Sequence, residues 1–257
     1  MILAVMSSKG GVGKTATAVN LAGVLAARGE QVLLIDGDGR ASATRHLGLN
    51  PRDMRHTFPE LLIEGGTFED YVVLTPNDID LIPSGPTTMQ AELAVAAKEE
   101  PLLVVKQLLA NPDIAETWKH IILDSQPGYN LISANFAMAA ERIILPIALE
   151  HSAVQGIEED IEWIRGLRGN DVKVVAVLQM FDARLNDCVY IAEDVRGRMK
   201  KLGVSVVSTM VRRNVAVYRA PAFGISAVKL VTENKEYKRH IPRVEDYADV
   251  LEEIMSA

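Results

Sequence analysis

The chain has 257 residues, a formal net charge of −7, and a composition of 48% hydrophobic and 24% charged residues. This composition is ordinary for a globular protein and argues against a mainly disordered chain. The single cysteine, Cys188, excludes an internal disulfide, a four-cysteine zinc site, a CxxC redox pair and an iron–sulfur cluster held within one chain. The acidic balance argues against a globally basic nucleic-acid binder but leaves a local basic patch open. A reducing, cytoplasmic setting is the natural interpretation.

Short runs of Val, Ile and Leu alternate with amphipathic stretches along the chain. Continuous β-branched runs predict strands covered on both faces, and the stretches between them predict helices. The predicted strands are Ile2–Met6, Gln31–Ile35, His120–Leu123, Arg142–Ile147, Val172–Leu178 and Val204–Val207. The predicted helices are Thr15–Ala27, Leu131–Ala140, Val154–Leu167 and Val189–Leu202. This alternation predicts an α/β fold, with a mainly parallel twisted sheet and helices on both of its faces.

Two segments depart from this alternation. Tyr71–Leu74 and Ile79–Ile82 flank the turn sequence Thr-Pro-Asn-Asp, so they can pair as a small hairpin or lie as edge strands. The end of the chain, Val244–Ala257, carries five acidic and no basic residues, and we predict that it forms a closing surface helix. Because we find no internal repeat, low-complexity tract or linker, we predict one domain spanning residues 1–257.

The strongest motif is Lys9–Thr15, which reads KGGVGKT and lies between a predicted strand and a predicted helix. That context is the one a phosphate-binding P-loop requires. Its three glycines let backbone N–H groups turn toward phosphate oxygens without Cβ clashes, and the helix that begins near Lys14 adds its positive dipole end. The Lys14 ammonium can reach the β- and γ-phosphates, and the Thr15 hydroxyl can ligate Mg²⁺. Ser8 stands where the usual pattern has glycine, so the loop is a variant.

Acidic residues follow two other predicted strands. Asp36 and Asp38 come just after the second strand, and Asp124 follows the apolar run that begins at His120. The carboxyl ends of the strands in an open parallel sheet face the ligand crevice, and phosphoryl transfer needs groups that orient water and bind Mg²⁺. An aspartate after a strand is also common as a cap or turn residue, but the nearby phosphate loop favours the functional interpretation.

The loop KGGVGKT after an N-terminal strand resembles the deviant Walker-A loop of the ParA/MinD family of partitioning and positioning ATPases. Three later segments are similar to other motifs of that family: 35–38 to the DxD segment, 121–127 to the second switch, and 213–224 to the late motif near the base and the dimer face. The similarity spans roughly residues 1–225, and its one highly specific motif is Lys9–Thr15. The resemblance implies a P-loop ATPase with ATP and Mg²⁺ as cofactors and weak basal turnover.

The resemblance also implies a role for each matching residue. Lys9 would reach across a dimer to the partner's ATP, Asp38 would position the attacking water, and Asp124 would be the acid near Mg²⁺. Asp36 would support these residues without contacting the nucleotide or the metal itself. The implied catalytic residues are Lys9, Lys14 and Asp38, and the implied Mg²⁺ ligands are Thr15, Asp38 and Asp124. The implied nucleotide-binding residues are Lys9, Gly10, Gly11, Val12, Gly13, Lys14, Thr15, Ala16, Arg213 and Asn214.

The sequence departs from the family pattern at three places. Ala16 replaces a threonine that often follows Thr15, Gly39 and Arg40 replace a frequent Pro-Gln pair, and Gln126 replaces a common proline in the second switch. These departures bear on the turnover rate and on the response to partners more than on nucleotide binding.

Two outputs are known in this family, membrane binding and non-specific DNA binding. A membrane-binding helix of the MinD kind needs basic residues on its polar face, whereas anionic lipid would repel the five acids at the end of this chain. These acids are Glu245, Asp246, Asp249, Glu252 and Glu253. The sequence therefore argues against a membrane output.

DNA binding needs clustered Lys and Arg side chains, and two segments provide them. One carries Arg196, Arg198, Lys200 and Lys201, and the other, within Lys229–Arg243, carries Lys235, Lys238 and Arg239. Each segment alone can also be an ordinary solvated face with basic residues at a helix end. Because no aromatic interleaving or recognition helix suggests base readout, we predict DNA binding that is independent of base sequence and sensitive to salt.

The sequence thus predicts a cytoplasmic, nucleoid-associated ATPase that forms a homodimer with ATP sandwiched at the interface. Its partners would be non-specific DNA and a cargo-linked adaptor protein that stimulates hydrolysis, the cargo being a plasmid, a chromosome region or a protein organelle such as a carboxysome. Three alternatives stay open: a MinD-like membrane-associated ATPase, a P-loop metabolic or metal-cluster enzyme, and a regulatory module that holds ATP but barely hydrolyses it.

Overall fold

The computed structural model describes residues 1–150, 156–169 and 172–256. Within these ranges eight strands form one sheet, in the order β3-β4-β2-β5-β1-β6-β7-β8. The strands are β1 (Ile2–Val5), β2 (Val32–Asp36), β3 (Val73–Leu74), β4 (Asp80–Ile82), β5 (His120–Asp124), β6 (Arg142–Ala148), β7 (Lys173–Gln179) and β8 (Ser205–Val206).

Every neighbouring pair of strands is parallel except β3 and β4. The central strands β2 and β5 are buried along their whole length, as expected for parallel strands with helices on both faces. β3 and β4 pair antiparallel at the edge of the sheet, with Leu74 opposite Asp80. The predicted parallel α/β sheet is confirmed. Of the two arrangements expected for Tyr71–Leu74 and Ile79–Ile82, the structure shows the hairpin.

The helices connect these strands and continue to the end of the chain. Within the described ranges they are α1 (Lys14–Ala27), α2 (Ser42–His46), α3 (Phe58–Glu64), α4 (Thr88–Ala96), α5 (Val104–Leu109), α6 (Pro112–Thr117), α7 (Leu131–Ala139), α8 (Ile157–Arg168), α9 (Asn186–Lys201), α10 (Val215–Phe223), α11 (Ala227–Glu233), α12 (Ile241–Val244) and α13 (Asp246–Ser256). Short 3-10 helices occupy Pro51–Asp53, Phe68–Tyr71 and Lys235–His240.

The helices cover both faces of the sheet because successive strand side chains point to opposite sides. On β5, Ile121 and Leu123 join a core formed with α7, α8 and α9, whereas Ile122 joins a core formed with α1 and α13. The helix that follows the phosphate loop therefore shares a face with the C-terminal helix.

The four predicted helices are present, with shifted ends. α9 begins at Asn186 rather than Val189, and the predicted start at Val154 lies outside the described residues. The other short helices were not predicted. They have four to nine residues, too few for an apolar stripe to repeat along the helix.

The predicted closing helix is confirmed as α13, and it packs against α1. Its apolar face is buried in the core by four side chains: Tyr247, Val250, Leu251 and Ile254. Two of its acids are paired, Asp246 with Arg212 at 2.6 Å and Glu252 with Arg28 at 2.7 Å. In the part of the chain that the structure describes, no single helix is both long and apolar enough to cross a membrane. The pair α10 and α11 reaches the required length and apolar composition only when the two helices are taken together, and they are bent by 89°.

Gly48 and Gly224 pack backbone against backbone, which joins the turn after α2 to the end of α10. Both have a positive φ, 81° and 68°, and an added Cβ on Gly224 would lie 2.8 Å from the Gly48 Cα. The Gly224 carbonyl also accepts a hydrogen bond from the Asn77 side chain at 3.1 Å. Only a residue without a side chain fits this approach, so glycine is required here.

Replacing Gly224 with alanine is expected to lower the free energy of unfolding by about 3 kcal/mol, because the substitution adds a clash to an unfavourable backbone conformation. Gly29 is the matched control, since its φ is 75° but nothing lies within 4 Å of an added Cβ. Gly29→Ala should cost only about 1 kcal/mol. Urea denaturation of both variants measures the difference, and equal costs would show that the close approach contributes nothing.

Candidate functional site

Three adjacent strands bring the predicted motifs to one edge of the sheet. β5 lies between β1 and β2, and Asp124 is paired in register with both Val5 and Asp36. The loop after β1, the segment that begins at Asp36 and the end of β5 therefore meet at the carboxyl ends of parallel strands, where open α/β sheets bind ligands. α1 begins at Lys14 and directs its N-terminus to the same edge.

The loop between β1 and α1 forms an open cradle. Gly11 and Gly13 have positive φ values of 78° and 96°, and nothing lies within 4 Å of an added Cβ at Gly10 or Gly11. The buried Lys14 ammonium reaches back across the loop and donates to the Lys9 carbonyl at 2.6 Å. A glycine loop with a buried ammonium and a helix N-terminus behind it fits a polyphosphate group.

Lys9 lies at the outer end of this loop. Its side chain is half-buried, with Cε 4.0 Å from an added Cβ on Gly156, and its ammonium makes no ion pair with any residue that the structure describes. Val12 is buried, and Thr15 and Ala16 are half-buried in the first turn of α1. The two lysines of the loop therefore differ: Lys14 is bonded to a carbonyl of its own loop, whereas Lys9 has no ion-pair partner among the described residues.

Gln179 at the end of β7 supports the loop from behind. Its Nε2 donates to the Thr17 hydroxyl at 3.0 Å, and that hydroxyl donates to the Gly13 carbonyl at 2.8 Å. An added Cβ on Gly13 would lie 3.7 Å from the Gln179 side chain. Neither Gln179 nor Thr17 is predicted as a supporting residue from the sequence, where the available signal is a glutamine that ends an apolar strand.

Three buried carboxylates act on one another and on Lys14. Burial raises the pKa of Asp36 to about 6, although hydrogen bonds from Thr44 oppose the rise. Burial, followed by the charge of Asp36, raises the pKa of Asp124 well above its usual value. Burial lowers the pKa of Lys14, and the charges of Asp124 and Asp38 oppose this. Burial and mutual repulsion thus disfavour the charged forms of Asp36 and Asp124, and a divalent cation would stabilise those forms.

Asp124 fits a Mg²⁺ site. Its side chain is fully buried, yet neither oxygen has a hydrogen-bond partner of standard geometry within residues 1–150, 156–169 and 172–256. A weak interaction with the Thr15 side chain opposes the rise in the pKa of Asp124. A buried carboxylate this poorly satisfied is unfavourable, and a metal ion or its bound water would satisfy it. The described residues hold no cluster of three or more His, Cys, Asp or Glu side chains suited to a metal ion. Mg²⁺ in nucleotide sites typically takes one or two carboxylates together with substrate phosphates.

Asp38 is 8% exposed and shapes the turn that follows β2. Its carboxylate accepts from the Arg40 N–H at 2.9 Å and from the Ser42 hydroxyl at 3.3 Å. Asp36 lies deeper, where it accepts from the N–H and the hydroxyl of Thr44 at 2.8 and 2.7 Å. Asp36 therefore anchors the turn, and Thr44 is a supporting residue that the sequence analysis missed.

Arg213 and Asn214 lie where α10 begins. Asn214 is the N-cap of that helix and accepts from the Ala216 N–H at 2.9 Å. The Arg213 guanidinium pairs with Glu150 at 2.7 Å and donates to the Met180 carbonyl at 3.4 Å. These contacts bring the predicted base-binding residues beside the end of β7, next to the strand residue that supports the phosphate loop.

The two basic segments flank the connection between β8 and α10. Arg196 donates to the Ser208 carbonyl at 3.0 Å, and Arg243 donates to the Arg213 carbonyl at 3.5 Å. The exposed lysines of these segments make no ion pair within the described ranges: Lys200, Lys201, Lys235 and Lys238. Arg239 is exposed as well and contacts the ring of His240.

Arg198 does not fit the predicted DNA-binding group. Its guanidinium donates to Asp194 at 2.9 Å and to Glu158 at 3.1 Å, so two carboxylates neutralise its charge and hold α9 against α8. We therefore call the following residues the basic surface and leave Arg198 out: Arg196, Lys200, Lys201, Lys235, Lys238 and Arg239.

Comparisons with known proteins agree with this geometry. A sequence model of the AAA domain family matches residues 1–175. Chromosome partitioning protein ParA of Caulobacter vibrioides is 31% identical over 229 residues, which cover 87% of this chain and 84% of that protein. Sporulation initiation inhibitor protein Soj of Bacillus subtilis is 29% identical over 228 residues, which cover 87% of this chain and 88% of that protein.

Two solved structures are similar over nearly the whole chain. Apo McdA of Cyanothece matches with a TM-score of 0.80 at 21% identity, covering 96% of this chain and 98% of that one. Cobyrinic acid a,c-diamide synthase of Mycobacterium smegmatis, solved with an ATP analogue and magnesium, matches with a TM-score of 0.77 at 24% identity, covering 94% and 95%. At these identities the likeness concerns the fold alone.

Proposed function

This chain belongs to the AAA domain family and, within it, to the ParA-type partitioning ATPases. From that premise we propose that it uses ATP and Mg²⁺ as cofactors and is an ATP-dependent dimer that positions a cargo on DNA. ATP is sandwiched in the homodimer, and the dimer binds DNA without base preference. A cargo-linked adaptor protein stimulates hydrolysis, which releases the dimer. The cargo is a plasmid, a chromosome region or a protein organelle, and the protein is cytoplasmic and associated with the nucleoid.

The observation that carries this proposal is the contrast between the two lysines of the phosphate loop. The Lys14 ammonium is buried and bonded within the chain, whereas that of Lys9 has no ion-pair partner in the described ranges. A second cation at the mouth of a phosphate cradle, unpaired within the described residues, suits the γ-phosphate of a nucleotide held by a second subunit. ATP then stabilises the dimer, and loss of the γ-phosphate destabilises it.

Within one subunit, the proposed roles follow from charge and position. The loop N–H groups and Lys14 bind the phosphates, and Thr15 with Asp124 holds Mg²⁺, with Asp38 close by. When bound, Mg²⁺ neutralises charge that develops on the phosphates during transfer. Asp38, which is 8% exposed at the same edge, orients the attacking water.

The basic surface supports DNA as the output. Its lysines are exposed and without ion pairs in the described residues, so their charge is available to phosphates. It flanks the connection that carries Arg213, because Arg196 bonds to the Ser208 carbonyl and the neighbouring Arg243 bonds to the Arg213 carbonyl. Because a dimer presents two copies of the surface, dimerisation multiplies the phosphate contacts and makes DNA binding depend on ATP. The burial of the apolar face of α13 weighs against the membrane alternative.

Replacing both Lys200 and Lys201 with alanine tests the DNA surface. The change removes four positive charges from a dimer, so the slope of log affinity against log salt concentration should become less steep by up to about 4. Affinity for a non-specific duplex should fall about tenfold or more at low salt, as measured by fluorescence anisotropy with ATP and Mg²⁺. The matched control is Lys98→Ala with Lys106→Ala, which removes two exposed lysines at α4 and α5. An unchanged slope in the first variant would place the DNA surface elsewhere.

A further inference from the structure

Asp160 is a buried acid in the first turn of α8 and is 5% exposed. It forms no salt bridge within the part of the chain that the structure describes. Its carboxylate accepts hydrogen bonds from the Ser7 hydroxyl at 3.1 Å, from the Ser8 N–H at 3.1 Å and from the Tyr129 hydroxyl at 2.8 Å. A buried carboxylate is tolerated only when donors satisfy it, and these three supply that compensation.

The donors come from two different parts of the nucleotide site. Ser7 and Ser8 lead from β1 into the phosphate loop, and Ser8 occupies the position where the usual P-loop has glycine. Tyr129 belongs to the segment 124–130, which begins at Asp124 and ends where α7 starts. An acid that only capped its own helix would bond to α8, whereas the hydrogen bonds of this side chain run to the other two segments.

The ring of Tyr129 makes a second contact with α8, in addition to the hydrogen bond from its hydroxyl to Asp160. The ring lies 5.1 Å from that of Trp163, centroid to centroid, with an angle of 31° between their planes. Burial, and then the hydrogen bond to Asp160, raise the pKa of Tyr129 against an interaction with the Ser8 side chain, so the Tyr129 hydroxyl stays a donor at neutral pH. The hydrogen bond and the ring contact therefore fix the same point of the segment.

The segment has room to move if this point is released. Tyr129 is 48% exposed, and its neighbour Gly128 has a φ of 94° with nothing within 4 Å of an added Cβ. A small cavity borders the cluster, lined among others by Ser8, Ser125, Tyr129, Asp160 and Trp163. The Ser125 hydroxyl is buried there and has no hydrogen-bond partner in the described ranges. The position of Tyr129 therefore depends on its hydrogen bond to Asp160 and its ring contact with Trp163, because the surrounding packing is loose.

We propose that Asp160 is a positioning residue for ATP hydrolysis, which holds the segment 124–130 against the start of the phosphate loop through Tyr129, Ser7 and Ser8. Because Asp124 begins this segment, the hold sets where its carboxylate and the backbone after it stand relative to the phosphates. Small displacements of such groups slow the chemical step more than they weaken substrate binding. The inference rests on the ATPase activity of the family but not on the proposed dimer or DNA surface.

Tyr129→Phe is the sharpest test, because it removes one hydroxyl and keeps the ring contact with Trp163. We expect the single-turnover rate of ATP hydrolysis to fall about tenfold, while the Kd for ATP with Mg²⁺ stays within about twofold. The matched control is Tyr190→Phe, at a tyrosine that is 70% exposed on α9, and it should change neither quantity. A wild-type rate for Tyr129→Phe would overturn the proposal.

Asp160→Ala provides the second arm, because alanine removes both oxygens that accept from Ser7, Ser8 and Tyr129. Because both substitutions break the same link, the double variant should be no slower than the slower single variant. Multiplicative effects, or a Kd for ATP that rises in step with the lost rate, would overturn the proposal and leave Asp160 a binding-loop support.

A spectroscopic readout keeps the test independent of turnover. The emission of Trp163, taken as the difference between the protein and its Trp163→Phe variant, should change when a non-hydrolysable ATP analogue and Mg²⁺ are added. That change should be altered in Tyr129→Phe and retained in Tyr190→Phe. The same emission change in Tyr129→Phe as in the unmodified protein would contradict a hold by the hydroxyl, even in a protein whose hydrolysis was too slow to follow.

Discussion

Replacing Lys9 with alanine is expected to abolish ATP-dependent dimerisation and to leave ATP bound to the monomer. Lys14 supplies the cation that each subunit needs for its own nucleotide, whereas the Lys9 ammonium has no ion-pair partner among the residues described. Truncating one partner of a desolvated charge pair costs about 2–5 kcal/mol, so the Kd of the dimer should rise by at least about 30-fold. Light scattering with ATP and Mg²⁺ measures the dimer, and fluorescent ATP titration measures binding.

Lys14→Ala is the matched control for this experiment, because it removes the other lysine of the same loop. That variant should lose ATP binding itself, and with it the dimer. Lys9→Ala with an unchanged dimer affinity would contradict a role across the interface. Lys9→Ala with the same loss of ATP binding as Lys14→Ala would assign both lysines to the nucleotide of their own subunit.

Asp38→Asn should lower the rate of ATP hydrolysis by a factor of about 100 or more while ATP binding and dimerisation persist. A carboxylate that orients and polarises water contributes about 10²- to 10⁴-fold, and an amide cannot replace its charge. Asparagine retains an oxygen that can accept from the Arg40 N–H, so the turn after β2 should survive the change. Phosphate release and ATP titration measure the two quantities.

The structural role of Asp38 needs its own control, because its carboxylate also accepts from the Ser42 hydroxyl at 3.3 Å. Ser42→Ala removes that contact and leaves the carboxylate, so turnover should stay within about threefold of the unmodified protein. Loss of ATP binding in Asp38→Asn would move Asp38 to a purely structural role. Equal rate losses in Asp38→Asn and Ser42→Ala would do the same.

The phosphate loop could be predicted from the sequence because its chemistry is contiguous. Glycines, lysine and helix start lie within seven residues, and the structure gives Gly11 and Gly13 the positive φ values that the pattern demands. The parallel sheet was equally accessible, since apolar runs such as β5 are buried over their full length. A structural feature can be predicted from the sequence when all the residues that determine it lie in one short segment.

The supports of the loop could not be predicted because they are far away in sequence. Gln179 and Thr17 are 162 residues apart, and Asp160 is 153 residues from Ser7. In the sequence, Asp160 is one of three acids in the first turn of a helix, where acids favour the helix dipole without any further role. Only the fold shows that this one turns toward the phosphate loop.

The charges in a sequence segment also do not show which charged side chains are paired in the folded protein. The sequence groups Arg198 with free basic residues, yet two carboxylates neutralise it. The acids at the C-terminus suggest a free negative surface, yet Glu253 accepts hydrogen bonds from Ser208 and Thr209 that outweigh its burial and lower its pKa to about 2. A count of charges gives the net sign of a segment but not which of its charges remain available to a partner.

Binding of this protein to a non-specific DNA duplex should be measured with ATP and Mg²⁺, with ADP and Mg²⁺, and without nucleotide, each at two salt concentrations. A DNA-associated ATP-dependent dimer predicts binding with ATP alone, weakened as salt rises. Absence of binding in every state, or equal binding in all three, would contradict the account.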